Sequence, residues 1–242
     1  GTLGGAMSTA SDLNNHGQIV GFSEAADGMP YAFIWDKSNG MRRLGTLGRL
    51  GGNAHAVNDA GQVIGFTETL NANPKSRPQP CLWNSTDGTE EPLKLPSSSD
   101  YPRGSGLNNG GYVLGRTFHW EKSSYWVYLW RKDTGRKWLF ELEHPIGSQF
   151  LNDANQVLYG EKHYGPLRRL SSRFFPPYPQ RYLWDLRRGR IPIDGYVNPE
   201  TGELLSVEGL NNKGCIIGII RPKSGAHEQA VLFEPIPGRW KK

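Results

Sequence analysis

The chain has 242 residues, a formal net charge of +5 at neutral pH and 31 glycines. Its apolar content of 36% and aromatic content of 11% suit many short strands joined by turns better than long helices. The longest apolar run within a repeated strand, 215–220, is far shorter than the roughly 20 residues of a membrane-spanning helix, so we predict no membrane span.

A short motif that begins with asparagine recurs five times along the chain. Each copy has an apolar residue, Asn, then Asn or Asp, one variable position and a glycine-like position, followed by an apolar run rich in β-branched residues. The leading residues are Asn14, Asn58, Asn108, Asn152 and Asn211. Asn and Asp start turns by bonding to their own backbone, so each copy predicts a β-hairpin. We interpret these asparagines as turn formers and not as ligands.

Two further positions of the motif carry glycine. The fourth position, counted with the leading Asn as the first, must accept a positive φ angle. Its occupants are Gly17, Gly61, Gly111, Asn155 and Gly214. A second glycine lies seven residues after the leading Asn in four copies, at Gly21, Gly65, Gly115 and Gly218, whereas the fourth copy has Tyr159. A glycine inside a strand predicts the close approach of a neighbouring backbone.

A third predicted strand follows each hairpin and ends on an aromatic residue. These residues are Trp35, Trp83, Trp130, Trp184 and Phe233, and a glycine follows each of them after five residues. The constant spacing predicts a fixed turn into a fourth strand and an aromatic core position. By contrast, the connection between the second and third strands varies widely in length.

Repeats of this length and content predict an all-β fold, a five-bladed β-propeller with four antiparallel strands per blade. We expect a single domain because one sheet cannot bury both of its faces alone. The approximate repeats are 1–44, 45–95, 96–142, 143–194 and 195–242. A flat solenoid is the alternative.

The repeat resembles the HAF family of extracellular bacterial repeats. The resemblance is carried by Leu-Asn-x-x-Gly-Gln-Val-hydrophobic-Gly, by Ala-Phe-Ile-Trp at 32–35 and by Leu-Gly-Thr-Leu-Gly at 44–48. It covers nearly the whole chain, although repeats three to five lack the last motif. It implies a propeller-like binding module that is extracellular or periplasmic, and it supplies no catalytic residues.

The binding site is predicted on the variable connections, because loops on a rigid scaffold commonly carry binding residues. The outstanding connection is 161–180, here called the basic loop. Between residues 161 and 190 there are eight Lys or Arg and two acids, a local balance of +6. Arginine and aromatic residues are frequent in binding hot spots. The predicted binding residues are Lys162, Arg168, Arg169, Arg173, Phe174, Phe175 and Tyr178, with Trp120 and Trp126 of repeat three as weaker candidates.

We therefore predict a non-catalytic module whose partner is a protein or an anionic polymer, with nucleic acid not excluded. A carbohydrate-binding lectin is the alternative, and a glycosidase is a third class. The six histidines lack metal-ligand spacing, so we predict no metal and no cofactor. Asp12 is a candidate acid near the first strand, but no second acid occupies its equivalent positions, Ala56, Gly106, Phe150 and Gly209. Cys81 and Cys215 are predicted to be free and buried.

Overall fold

A computed structural model describes residues 1–68, 78–85, 89–93, 103–119, 121–143, 145–163, 178–194, 197, 200, 202–225 and 227–234. These residues form nineteen β-strands joined by turns, and no α-helix occurs among them. In every sheet, each strand pairs with the next one along the chain. The all-β prediction and the antiparallel hairpins are confirmed. Within the same residues, no helix has the length and apolar character needed to cross a membrane.

The chain divides into two compact units, and the first is Gly1–Phe140. Its first sheet contains β1 (Gly4–Leu13), β2 (Ile19–Ala25), β3 (Pro30–Asp36) and β4 (Gly40–Arg43). The second sheet contains β5 (Gly51–Val57), β6 (Gln62–Glu68), β7 (Gln79–Asn84) and β8 (Glu90–Pro92). The third sheet contains β9 (Arg103–Leu107), β10 (Val113–His119), β11 (Ser124–Arg131) and β12 (Gly135–Leu142). The three sheets coincide with the first three predicted repeats.

The second unit is Glu141–Lys242. Its first sheet contains β13 (Pro145–Leu151), β14 (Val157–His163), β15 (Tyr178–Asp185) and β16 (Gly189–Pro192). Its second sheet contains β17 (Gly202–Leu210), β18 (Ile216–Pro222) and β19 (Gln229–Phe233). The predicted fourth strand of this last repeat falls on residues outside the described ranges. The prediction of one continuous domain stays a prediction.

The glycine-like turn position adopts the expected backbone in all five repeats. Its φ angle lies between +59° at Asn155 and +81° at Gly214. The turn between the third and fourth strands also has positive φ at Gly40, Gly135 and Gly189. The turn predictions are therefore confirmed at these positions, including the one asparagine that replaces glycine.

The second glycine lies opposite a bulge in the first strand of its sheet. In the second sheet, the pairing shifts register between Ala54 and Ala56, opposite Gly65. A Cβ atom at Gly65 would collide with the carbonyl oxygen of Asn53. The equivalent clashes are with the carbonyl oxygens of Thr9 at Gly21 and of Ser206 at Gly218. Close backbone approach is thus confirmed in these three repeats.

In repeat three the close neighbour is a side chain instead. A Cβ atom at Gly115 would meet the ring of Tyr128, which lies directly opposite on β11. A side chain can move about its χ1 bond and a backbone carbonyl cannot, so the steric demand at Gly115 differs in kind from that at Gly65.

The cores lie between sheets that are consecutive in sequence. In the first unit, Val20 and Ile34 of the first sheet share a buried cluster with Val63 and Trp83 of the second. The opposite face of the second sheet packs through Ile64 against Val113 of the third. In the second unit, the buried residues Leu158 and Leu183 pack with Leu204, Val207 and Ile216. Each of these sheets therefore buries apolar residues against its neighbour, as the apolar second strands predicted.

The repeated aromatic position is not uniformly buried. Trp83 is 1% exposed, and its indole N–H donates a hydrogen bond of 2.9 Å to the carbonyl oxygen of Gly45. Trp35, Trp130 and Trp184 are half-buried. Among the four tryptophans, only Trp83 in repeat two is therefore the buried core residue that was predicted.

The two cysteines are both free, but their environments differ. Cys81 is buried, and burial raises the pKa of its thiol to about 11. Its Sγ donates to the carbonyl oxygen of Gln79 at 3.2 Å. A thiol that stays protonated at neutral pH is a poor nucleophile, so Cys81 acts as a core residue. The prediction that Cys215 is buried is wrong, because it lies in a half-buried turn before β18.

Candidate functional site

The leading asparagines hold the turns and also connect neighbouring repeats. The Asn58 Oδ1 atom accepts a hydrogen bond of 2.9 Å from the backbone N–H of Gln62 within its own turn. Its Nδ2 donates to Gln62 Oε1 at 2.8 Å and to the carbonyl oxygen of Asn108 at 3.0 Å. Asn14 donates to the carbonyl oxygen of Asn58 at 2.9 Å in the same way. In the second unit, the Nδ2 of Asn152 donates to the carbonyl oxygen of Asn211 at 3.1 Å.

The second position of the motif adds a parallel set of contacts. Asp59 accepts from the backbone N–H and the side-chain Nδ2 of Asn15, at 2.9 and 2.8 Å. It also accepts from Nδ2 of Asn109 at 2.9 Å, and its own N–H donates to Asn109 Oδ1 at 2.8 Å. These bonds, led by the one from the Asn15 side chain, lower the pKa of the Asp59 carboxyl. Asp153 and Asn212 form the same reciprocal pair in the second unit.

The asparagine turns therefore serve to join repeats. Their side-chain donors and acceptors are used by neighbouring turns, so these groups are not available to a ligand without breaking the contacts between sheets. The interpretation of the asparagines as structural residues agrees with this geometry, although their role extends beyond turn formation.

Asp12, the candidate acid, is also engaged by the next repeat. Its Oδ2 accepts a hydrogen bond of 2.9 Å from the backbone N–H of Val57 at the end of β5. Burial raises the pKa of this carboxyl, and the hydrogen bond from Val57 opposes the shift. The carboxyl thus completes the hydrogen bonding of a buried backbone position.

We expect Asp12→Ala to destabilise the protein by about 1–3 kcal/mol, because it removes the acceptor of the Val57 N–H. Asp12→Asn keeps an oxygen acceptor and removes a partly buried charge, so its free energy of unfolding should stay closer to that of the wild type. Urea denaturation of both variants at pH 7 measures the difference. Equal losses in the two variants would show that the hydrogen bond is unimportant.

The basic loop is only partly within the described residues. Arg168, Arg169, Arg173, Phe174 and Phe175 lie outside them, and so does Trp120. The strands reach further into the predicted loop than expected, since β14 continues to His163 and β15 begins at Tyr178. Lys162 is paired with Pro179, and Tyr178 with His163, so these two candidates belong to the strand ends and not to the loop proper.

The base of this hairpin carries a cluster of charged and aromatic residues around the buried Glu161. Glu161 is 7% exposed at its side chain, forms an ion pair with Arg190 and accepts from the backbone N–H of Glu143 at 3.0 Å. The Arg190 guanidinium lies 3.8 Å from the ring centre of Tyr182. Tyr182 in turn stacks on the fully buried Tyr159 at 5.5 Å, and burial raises the pKa of Tyr159.

Arg181 is a buried cation of the same hairpin. Its guanidinium donates to Asp194 at 3.0 Å and to the carbonyl oxygen of Leu205 in β17. Arg181 therefore links the two sheets of the second unit. Arg181 is therefore neutralised inside the protein, whereas the Arg190 side chain is 40% exposed and reaches the buried Glu161 from the surface.

An exposed aromatic surface on repeat three contains the one candidate whose side chain is described, Trp126. Its ring meets that of Trp138 edge to face, with centres 5.7 Å apart. Trp138 is 45% exposed and also contacts the buried Tyr128, again at 5.7 Å. Arg136 lies 4.3 Å from the Trp138 ring centre, and the ammonium of Lys122 lies 5.6 Å from that of Trp126. We call these four residues, Lys122, Trp126, Arg136 and Trp138, the tryptophan surface.

Trp138 and Arg136 were missed at the sequence level because they lie on the fourth strand, beyond a turn regarded as structural. A signal was present in the sequence. The segment 135–142 carries two adjacent cations and two aromatic residues, whereas the other described fourth strands are shorter.

Repeat five offers an open depression of about 840 Å³ at the connection between β18 and β19. It is lined by Arg221, Pro222, Lys223, Gly225, His227 and Glu228. Arg221 and Glu228 form an exposed ion pair at 3.2 Å. The described ranges contain no group of three or more His, Cys, Asp or Glu side chains placed to hold a metal ion.

Comparison with known proteins identifies the fold. No family model matches the chain, and no curated protein sequence matches it significantly. Among solved structures, it is similar to the β-propeller domain of the Trilobed protease from Pyrococcus furiosus. The TM-score is 0.60 at 12% identity, over 95% of this chain and 70% of that one. The chain has a β-propeller fold.

Two other solved structures support the same propeller fold. TolB from Acinetobacter baumannii has a TM-score of 0.53 at 14% identity, over 77% of this chain. The tricorn protease has a TM-score of 0.55 at 11% identity, over 95% of this chain. The matched region spans only 44% of the TolB chain and 21% of the tricorn chain. At these identities, the likeness concerns the propeller fold alone.

Proposed function

We propose that the chain is a non-catalytic binding module with five propeller blades, and that its partner is a protein or an anionic polymer. The partner binds the connections between second and third strands, with the basic loop as the main contact. One observation carries the proposal. The asparagine-turn side chains are occupied by bonds between repeats, whereas the second-to-third connections differ from repeat to repeat, and that of repeat four concentrates arginine and aromatic residues.

The repeat sequence supports two further parts of the proposal. The motifs at 32–35 and 44–48 favour membership of the HAF repeat family, and with it an extracellular or periplasmic location. The use of Asp12 by the Val57 backbone favours a binding role over glycoside hydrolysis, which needs two converging carboxyl groups.

The basic loop can be tested by charge removal. We expect the triple variant Arg168→Ala, Arg169→Ala, Arg173→Ala to lose most of its retention on an immobilised polyanion and its capture of protein partners. The physical reason is that arginine contacts to anionic groups are charge-assisted and weaken with added salt. Retention at several salt concentrations is the measurement, made on the full chain.

A matched control removes the same charge elsewhere. Lys37, Arg187 and Arg188 are exposed turn residues. Replacing all three by alanine removes three positive charges, so this variant has the same net charge as the loop variant. It should retain near-wild-type binding. If the two triple variants behave alike, or if the loop variant binds as the wild type does at every salt concentration, the basic loop is not the site.

A further inference from the structure

The outer strand of repeat three departs from the other fourth strands. β12 has 8 residues, whereas β4 has 4, β8 has 3 and β16 has 4. β8 ends in Pro92 and β16 in Pro192, and proline blocks further pairing at a strand edge. β12 contains no proline and lies at the edge of its sheet, in the order β12-β11-β10-β9.

A long edge strand exposes backbone N–H and C=O groups on its outer side. Natural proteins shorten such edges, place proline in them or cover them, because another extended chain can pair there. Among the described fourth strands, β12 lacks the first two of these protections. An edge that lacks these two protections is suited to receive an extended segment of another chain as an additional strand.

The tryptophan surface lies beside this edge and provides a place for a side chain of the incoming segment. Trp138 is on β12 itself, and its indole is held in a fixed orientation by edge-to-face contacts with Trp126 and Tyr128. A large aromatic side chain that is exposed but already ordered loses little conformational freedom on binding. Such residues are typical binding hot spots.

The charges at the edge select the kind of segment. Between residues 131 and 142 the acids are Asp133, which is bound to Arg131 at 2.6 and 2.8 Å, and Glu141 near the end of β12. Arg136 and Lys137 lie side by side on β12, and Lys137 is exposed. A second copy of β12 paired around Lys137 would bring like charges together, which disfavours that register. A strand with carboxylates would place opposite charges across from each other.

We propose that the 135–140 edge binds an extended acidic peptide segment as a fifth strand of repeat three, with an apolar or aromatic side chain of the peptide on Trp138. The inference rests on the proposed function in that the partner is a protein, but it uses residues other than those of the basic loop. It assigns a second contact surface and a chemical class of partner.

The test measures binding of a fluorescein-labelled peptide, Glu-Val-Glu-Tyr-Glu-Val-Glu with blocked ends, by fluorescence anisotropy. In an antiparallel pair, only alternate amides of the added strand point toward the edge. We therefore compare two peptides that are N-methylated at alternate, complementary positions. One should lose affinity about tenfold or more, and the other should bind nearly as the parent does, since a methyl group there faces solvent.

Two variants locate the binding on β12. Lys137→Glu should weaken the parent peptide about tenfold at low salt, whereas Lys37→Glu, the same change on an exposed turn of repeat one, should have little effect. Trp138→Ala should also weaken binding, and circular dichroism of each variant verifies that the fold is retained. For the wild type, peptide binding should change the tryptophan emission.

Several outcomes would overturn the inference. Equal loss with both N-methylated peptides would exclude strand addition, and equal effects of the two Lys→Glu variants would exclude β12. If an oligosaccharide changes the tryptophan emission of the wild type but not that of Trp138→Ala, and the peptide changes neither, the surface is a sugar site and the inference is wrong. Loss of polyanion and partner binding in the Arg168, Arg169, Arg173 variant would still support the proposed function, so the two failures can be told apart.

Discussion

Asn58→Ala is expected to lower the free energy of unfolding by about 3 kcal/mol, because it removes three hydrogen bonds of a buried side chain at about 1 kcal/mol each. Asn58 is 3% exposed, and these bonds reach Gln62 within the turn and Asn108 in the next repeat. Urea denaturation at pH 7 measures the loss. The control is Ala60→Ser, at the exposed variable position of the same turn, which should change stability by less than about 0.5 kcal/mol.

A second substitution separates the donor role from the turn role. Asn58→Asp keeps the Oδ1 acceptor that forms the turn but replaces the Nδ2 donor by an oxygen facing the Gln62 and Asn108 acceptors. At pH 7 we expect a loss close to that of Asn58→Ala. In this setting the pKa of the new carboxyl is raised in the folded state, so the defect should diminish as the pH falls and the carboxyl becomes protonated. If Asn58→Asp is as stable as the wild type at pH 7, the bond between repeats contributes nothing.

The turn chemistry of the motif could be predicted from sequence because it is local. A turn with a positive φ at its fourth position depends only on residues within a few bonds of one another, and Asn155 satisfied it as the glycines did. The bond from Asn58 to Asn108 joins residues 50 positions apart, so it depends on how the sheets stack. A signal was nevertheless present, since Asp forms such turns as well as Asn does, yet the leading position is Asn in all five copies.

The second position carries another signal of the same kind. It reads Asn15, Asp59, Asn109, Asp153 and Asn212 along the chain. Amide and carboxylate side chains alternate, and each Asp accepts from an adjacent Asn within its unit. Alternation between donor-bearing and acceptor-only side chains indicates pairing between neighbours, which a comparison of single copies does not reveal.

The buried polar residues of the second strands were also predictable in principle. Ser23, Thr67, Thr117 and Glu161 occupy the same place, two residues after the second glycine or its tyrosine replacement, and all are buried. A polar residue that recurs in an apolar strand indicates an internal hydrogen-bonding position. The identity of the partner could not be predicted. Ser23 Oγ accepts a hydrogen bond from the backbone N–H of Leu3 in its own repeat, whereas Glu161 forms an ion pair with Arg190.

The candidate site was less predictable than the fold. Sequence variation directed attention to the loops, and the cations at 181 and 190 were counted in the local positive balance. Their neutralisation by Asp194 and Glu161 depends on strand pairing, which brings residues 13 and 29 positions apart into contact. The tryptophan surface depends on the packing of Trp138 across from Trp126, which again lies outside the reach of a local pattern.

Gly65→Ala is expected to destabilise the protein by about 3 kcal/mol, since overpacking against a fixed backbone cannot be relieved by a rotamer change. A Cβ atom there would lie 2.8 Å from the Cα of Ala54 and 2.9 Å from the carbonyl carbon of Asn53, in addition to the clash with that carbonyl oxygen. Gly115→Ala is the matched comparison, because its Cβ would meet side-chain atoms of Tyr128 and not backbone atoms, and its cost should be smaller. Urea denaturation of both variants, with circular dichroism as the probe, gives the two losses.

In repeat four a tyrosine, Tyr159, occupies the position of the second glycine, so the opposite substitution can be tested there. Opposite Gly65, the bulge in β5 contains two residues, Ala54 and His55, between the residues that pair with Phe66 and Ile64. Opposite Tyr159, the bulge in β13 contains three residues, 147–149, between the residues that pair with Gly160 and Leu158. The wider bulge makes room for the tyrosine, which is fully buried against Tyr182. Tyr159→Gly should therefore lose about 3 to 5 kcal/mol through the cavity it leaves. If glycine were tolerated there, or alanine at Gly65, the bulge width would not determine which residue the position accepts.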